Sequence, residues 1–227
     1  MSLVEMRTLS RQYELFHLPA QYTPEQLREI YFQVSRSCEY DNFLRLPGGA
    51  RLEVAAGEGV SNESSVTFTK DRIFFREESV GGSREHLLKR VTEVLTVAVE
   101  KVGLPFYIAR NITLRAVCQT PRGMSSTAFM AEHLFKINAQ HNTVFDRPAQ
   151  LVGFRMQFPC RDPLREATHQ LRIETYMRDA RSLYVEDIAS YKVPVPARDL
   201  ARVETEFRDA EVFLHDQVGK FLGQFGE

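Results

Sequence analysis

The chain has 227 residues, of which 43 % are hydrophobic and 26 % charged. That is enough apolar material for one substantial core, and the mix is that of a globular rather than a disordered chain. The formal net charge is −1, so no global field steers it onto nucleic acid or an anionic membrane, and neither is expected as a partner.

Cys38, Cys118 and Cys160 are far apart. They make no C-x-x-C pair and no zinc-like cluster with histidine, which fits reduced thiols in a cytoplasmic protein that needs no metal or other cofactor. No apolar run approaches the about 18 residues that cross a bilayer. The start "MSLVEMRTLSRQ" lacks the apolar core of a secretion signal.

In chain order, "RQYELFHLP" (11–19) reads as a strand that ends at Pro19. A helix follows. Thr23 sits at its N-cap, Pro24 at its first position and Gln26 completes a capping box; Leu27, Ile30, Tyr31, Val34 and Cys38 form its apolar stripe. "PGG" (47–49) closes a linker, and "ARLEVAA" (50–56) alternates as a strand. After the polar loop "GEGVSNESS" (57–65), "SVTFT-KD-RIFFREE" reads as a hairpin turning at Lys70 and Asp71. Ser83 then caps a helix over 84–102, and Gly103 and Pro105 stop it.

The second half repeats the order. "FYIARNITLRAVC" is a strand, "STAFMAEHLFKIN" a helix with Met130, Leu134 and Ile137 inward, and "QLVGFRMQF" (150–158) a strand. "HQLRIETYM-RDAR-SLYVEDIASY" is a second hairpin, and "PVPARD" introduces a last helix from Leu200 to about Phe225. Its stripe is Leu200, Val203, Phe207, Ala210, Leu214, Val218, Phe221 and Phe225.

The element order implies an internal duplication of a β-α-β-β-β-α unit, with halves 1–104 and 105–227 in one compact pseudo-symmetric domain. The expected fold is α+β: a curved antiparallel sheet with helices on one face and a long C-terminal helix.

One strand poses a chemical question. On "FYIARNITLRAVC", Phe106, Ile108, Arg110, Ile112, Leu114, Ala116 and Cys118 share a face, and Arg110 is its only charge. A buried guanidinium needs a partner. Asp187 lies on a face with Leu183 and Val185, and His17 on one with Tyr13 and Leu15. Arg110 paired to Asp187 is the expected solution. The pair is either an internal ion pair that fixes register, or part of a ligand pocket in which Arg110, Asp187 and His17 meet a carboxylate or phosphate.

On the opposite strand face Arg115, Arg155, Gln157, Arg172 and Arg178 stand with Glu174, which reads as a solvated face of mixed sign. Tyr176 is the clear aromatic there, too little for stacking nucleobases. In "TPRGMSST" (120–127) Arg122, Ser125 and Ser126 form a candidate anion-binding loop at a helix start, without the Walker ending. Neither H-E-x-x-H nor G-x-S-x-G occurs.

The strand "ITLRAV" (112–117) and the helix "VFLHDQVGKFLGQF" (212–225) resemble an uncharacterised, sporadically distributed bacterial family. Its strand reads roughly "IGLRYIN", and its closing helix holds Leu-His and a later Phe. The resemblance maps Arg115, His215 and Phe221 and departs at Ala116 and Cys118. It implies a mixed α/β chain ending in a long helix, and no particular activity.

Three readings of function follow. The first is a non-enzymatic binding or interaction module with a protein partner. The second is a carrier or enzyme for a small anionic ligand, held between sheet and helices. The third is a self-associating component, such as a homodimer.

Overall fold

The computed structural model describes residues 3–54, 63–78, 83–136 and 152–226. The fold is α+β. Nine antiparallel strands form one sheet: β1 (Arg7–Phe16), β2 (Asn42–Leu46), β3 (Gly49–Glu53), β4 (Glu63–Thr69), β5 (Arg72–Glu78), β7 (Ala109–Gln119), β8 (Gly153–Phe158), β9 (Thr168–Thr175) and β10 (Ser182–Tyr191). Their spatial order is β2-β3-β4-β5-β1-β7-β10-β9-β8. A separate short ribbon pairs β6 (Phe106–Tyr107) with β11 (Val195–Pro196).

The helices are α1 (Pro24–Val34), α2 (Arg84–Val102), α3 (Ser126–Phe129, continued by a π turn Met130–Phe135) and α4. The last runs Leu200–Glu211, then a π segment Val212–Val218, then Gly219–Gly223.

The helix ends follow from local chemistry. At α1, the Gln26 N–H donates to Thr23 Oγ1 at 3.2 Å and the Thr23 N–H to Gln26 Oε1 at 3.0 Å, completing the predicted capping box. The Gln26 amide also donates to Lys101 O at 3.0 Å, tying α1 to the last turn of α2. Ser83 caps α2, and Gly103, at φ 73°, ends it in the left-handed region.

Cross-strand register aligns one row through all nine strands: Phe43, Leu52, Val66, Phe75, Tyr13, Ile112, Ala189, His169 and Phe158. Eight carry hydrocarbon or aromatic bodies, and His169 interrupts them. The helices cover this face. Tyr31 of α1 meets Phe43, Arg90 of α2 meets Glu77, Phe135 beside α3 meets Phe154, and Phe207 of α4 meets Tyr13. The other face is polar and charge-alternating. Arg115 bonds Glu186 at 2.7 Å, and Arg172 bonds Glu174 at 2.6 Å.

Four expectations change. The first strand starts at Arg7 rather than 11. Residues 42–46 are an edge strand, not a linker; only part of NFLRL is covered, so alternation is weak there. The strand expected over 106–118 breaks at Ile108, which is exposed, while its N–H bonds Phe16 O at 2.8 Å. The last helix carries a π segment, so Phe213 and Leu214 are both buried, which a 3.6-residue stripe does not anticipate. Residues 55–62, 79–82 and 137–151, including much of the polar loop, the predicted inward Ile137 and the start of "QLVGFRMQF", lie outside the described residues.

Candidate functional site

Arg110 is buried, and its partner is Glu206, not Asp187. The Arg110 Nε donates to both Glu206 oxygens at 3.1 and 3.0 Å, Nη2 to Oε1 at 2.8 Å, and Nη1 to Val193 O at 2.8 Å. Tyr13 O–H and Arg202 Nε also donate to the carboxylate, each at 3.2 Å. The Tyr191 ring lies 5.7 Å from the guanidinium carbon. Each guanidinium nitrogen is bonded within the protein, so the pair is an internal clamp between β7 and α4.

Register explains why Asp187 cannot reach it. Tyr191 stands opposite Arg110, whereas Asp187 stands opposite Leu114. Four residues along a strand are about 13 Å.

His17 is also committed. Its Nδ1 donates to Leu18 O at 2.7 Å, and Nε2 accepts from Tyr22 O–H at 2.7 Å. It shares no hydrogen-bond partner with Arg110. The 120–127 loop sits at the far end of β7. Ser125 caps α3, accepting from Ala128 N–H at 3.2 Å, and the N–H of buried Ser126 donates to Ala180 O at 2.7 Å. Arg122 lies in the 3₁₀ turn Pro121–Gly123. Arg110, Asp187, His17 and this loop are therefore four separate places.

Asp187 makes a different pair. It is 0 % exposed, and its Oδ2 lies 2.8 Å from His169 Nδ1. Its Oδ1 has no hydrogen-bond partner among the described residues. Burial pushes the carboxyl above its usual range, and the bond from His169 pulls the other way. Because the carboxylate accepts at Nδ1, that nitrogen carries the proton, and the chemistry of the ring is presented at Nε2. Nε2 has no hydrogen-bond partner among the described residues, and the side chain is 14 % exposed.

His169 lines a groove of about 460 Å³ at one edge of the sheet. Its ring stacks on Phe213 of α4, with centroids 3.8 Å apart and planes at 18°. Phe158 meets Phe213 edge to face at 5.3 Å. The π segment of α4 begins at Val212, so the helix widens where it delivers Phe213 to the groove, and such turns recur at functional sites. Arg161 and Arg165 stand on the rim, largely exposed, with Glu166 and Asp162 as their ion-pair partners at 3.4 and 3.7 Å.

Sequence reasoning passed over His169, Phe213 and Glu206. A signal for the first existed: His169, Leu171 and Ile173 alternate in the same way as the Tyr13, Leu15 and His17 face. Among the described residues no group of three or more His, Cys, Asp or Glu side chains could hold a metal ion. No described helix is long and apolar enough to cross a membrane. Compared with known proteins, the chain matches no family model and no curated protein.

Proposed function

We propose that this chain is a binding module that takes a small anionic ligand in the groove between β9 and α4. One observation carries the reading: a fully buried Asp187 holds His169 so that its unpartnered Nε2 stands in an aromatic-walled concavity. Placing a carboxylate under an apolar sheet is costly, and such an arrangement is retained where it positions a working group. The size fits a small molecule, and the lining mixes polar and charged side chains with the apolar Phe158, Val212 and Phe213. Arg161 and Arg165 place guanidinium groups at the rim, beside the carboxylates of Glu166 and Asp209.

Thermal-shift screening of carboxylates and phosphates tests this reading, with His169→Gln as the control. Stabilising hits that vanish in the variant are expected. A panel without a hit, or hits indifferent to the substitution, overturns the reading.

The duplication belongs to the same proposal. From β1 outward the sheet runs β5, β4, β3, and from β7 outward it runs β10, β9, β8, with β2 beyond β3 as an extra strand on the first side. Each half ends in a helix, α2 or α4. The three free thiols fit a reducing compartment, in line with a cytoplasmic location. Kinship with the sporadically distributed bacterial family remains part of this reading, through Arg115 on the polar face and His215 and Phe221 on α4.

A further inference from the structure

Resting on the reading of the groove as an anion site, we propose that it takes up a carboxylate and a proton together, the proton residing on His169. The inference begins with what each protonation state presents. With Nδ1–H committed to Asp187 at 2.8 Å, a neutral ring offers a lone pair at Nε2. A lone pair repels a carboxylate oxygen. An imidazolium offers a second N–H there, which bonds it with charge assistance.

The surrounding charges act in the same direction once the ligand is present. Asp187 on β10 faces the ring from below and is wholly removed from water. Its free Oδ1 leaves the imidazolium as the charge that balances it, because Arg110 is bound to Glu206. Asp209 on α4 and Glu166 on the loop after β8 add negative charge around the groove. Arg161 and Arg165 oppose a third cation while the groove is empty, and a bound carboxylate offsets them. β8 contributes Phe158, which has no charge. Anion and proton therefore each favour the other, a reciprocal coupling between two ligands of one site.

The walls define the rest of the ligand. Phe158, Val212 and Phe213 offer apolar contact, and a volume of about 460 Å³ suits a body of ring size. The class assigned is a carboxylate on a small aromatic or apolar frame.

Phenylacetate is the probe. Calorimetric titration of the full chain at several pH values between 6 and 9, in buffers of different ionisation enthalpy, should report proton uptake on binding. Affinity for phenylacetate should fall as pH rises. The neutral analogue 2-phenylethanol should bind without proton uptake. His169→Gln, checked for folding by circular dichroism and melting temperature, should bind phenylacetate more weakly, with no uptake and no pH dependence.

Phenylacetate binding without proton uptake overturns this inference and leaves the anion site standing. Uptake that persists in the variant assigns the proton elsewhere and also overturns it. Proton-linked binding of inorganic phosphate in place of phenylacetate overturns the carboxylate assignment. Failure of every anionic probe removes the site and the inference together.

Discussion

Arg110 Nη2 lies 2.8 Å from Glu206 Oε1, and both side chains are only 2 % exposed although 96 residues separate them. The pair joins the sheet centre to α4, the helix that walls the groove. Breaking it strands a charge in the core. Glu206→Ala should cost about 3–5 kcal/mol in urea unfolding. The double variant Arg110→Met with Glu206→Leu removes both charges and should recover most of that loss. A double variant as unstable as the sum of the two single ones would mean no coupling between the residues and would contradict the pairing account.

The turn between β2 and β3 contains two glycines with different reasons to be glycine. A Cβ on Gly49 would stand 1.9 Å from the Phe68 carbonyl oxygen, which belongs to the paired strand β4. Backbone there cannot retreat without breaking the β3–β4 ladder. Gly48 has φ 73° and open space around it, so a side chain meets only conformational strain. Gly48→Ala should cost about 1–2 kcal/mol, and Gly49→Ala distinctly more. Thermal unfolding of the two variants measures the order, and equal losses would contradict the steric account.

Much of the architecture was legible from periodicity and end signals. Thr23 with Gln26, Ser83, and Gly103 mark helix ends through interactions within a few residues, so the sequence states them locally. Alternation on 72–78 and 182–191 marks strands whose opposite faces meet different surroundings. What failed depends on distance or on exceptions to a period. Arg110 announces a buried charge, but its partner Glu206 stands between the apolar Val203 and Phe207 on the buried side of a helix, where local pattern marks no acid as a partner for a strand 96 residues away. His169 stands in no motif, because Asp187, Phe213 and Phe158 reach it from three other elements.

Cysteine chemistry offers a direct check on burial. Burial, followed by the Glu93 charge, pushes the Cys38 thiol up to about 12, and its Sγ lies 3.5 Å from Glu93 Oε2. Burial alone pushes Cys118 up to about 12. At pH 8 about one in ten thousand of such thiols is ionised, and the thiolate is the reactive form. Cys160 is half-buried, outside the core. Iodoacetamide should therefore label Cys160 first in the native chain and reach Cys38 and Cys118 only on unfolding, as read by peptide mass analysis. Early modification of Cys118 would mean that the β7 end of the core opens readily.

His215, in the π segment of α4, provides a pH test. Its Nε2 lies 3.3 Å from Thr8 Oγ1, beneath the sheet. Burial lowers its pKa below the ordinary 6.5, and the charge of Arg11 adds to that, while Glu211 and Asp216 pull back. A lowered value means that between it and 6.5 the unfolded chain binds a proton that the folded chain refuses. Stability contributed by this residue is complete above 6.5 and is lost as pH falls towards the folded value. His215→Gln keeps a polar atom near Thr8 and removes the titration. The native chain should lose stability between pH 6.5 and 5.5 more steeply than the variant, by well under about 1 kcal/mol because the ring is partly solvated. Urea midpoints across that range decide it. Parallel profiles would place the acid sensitivity on other groups, and a steeper variant would reverse the sign assigned to His215.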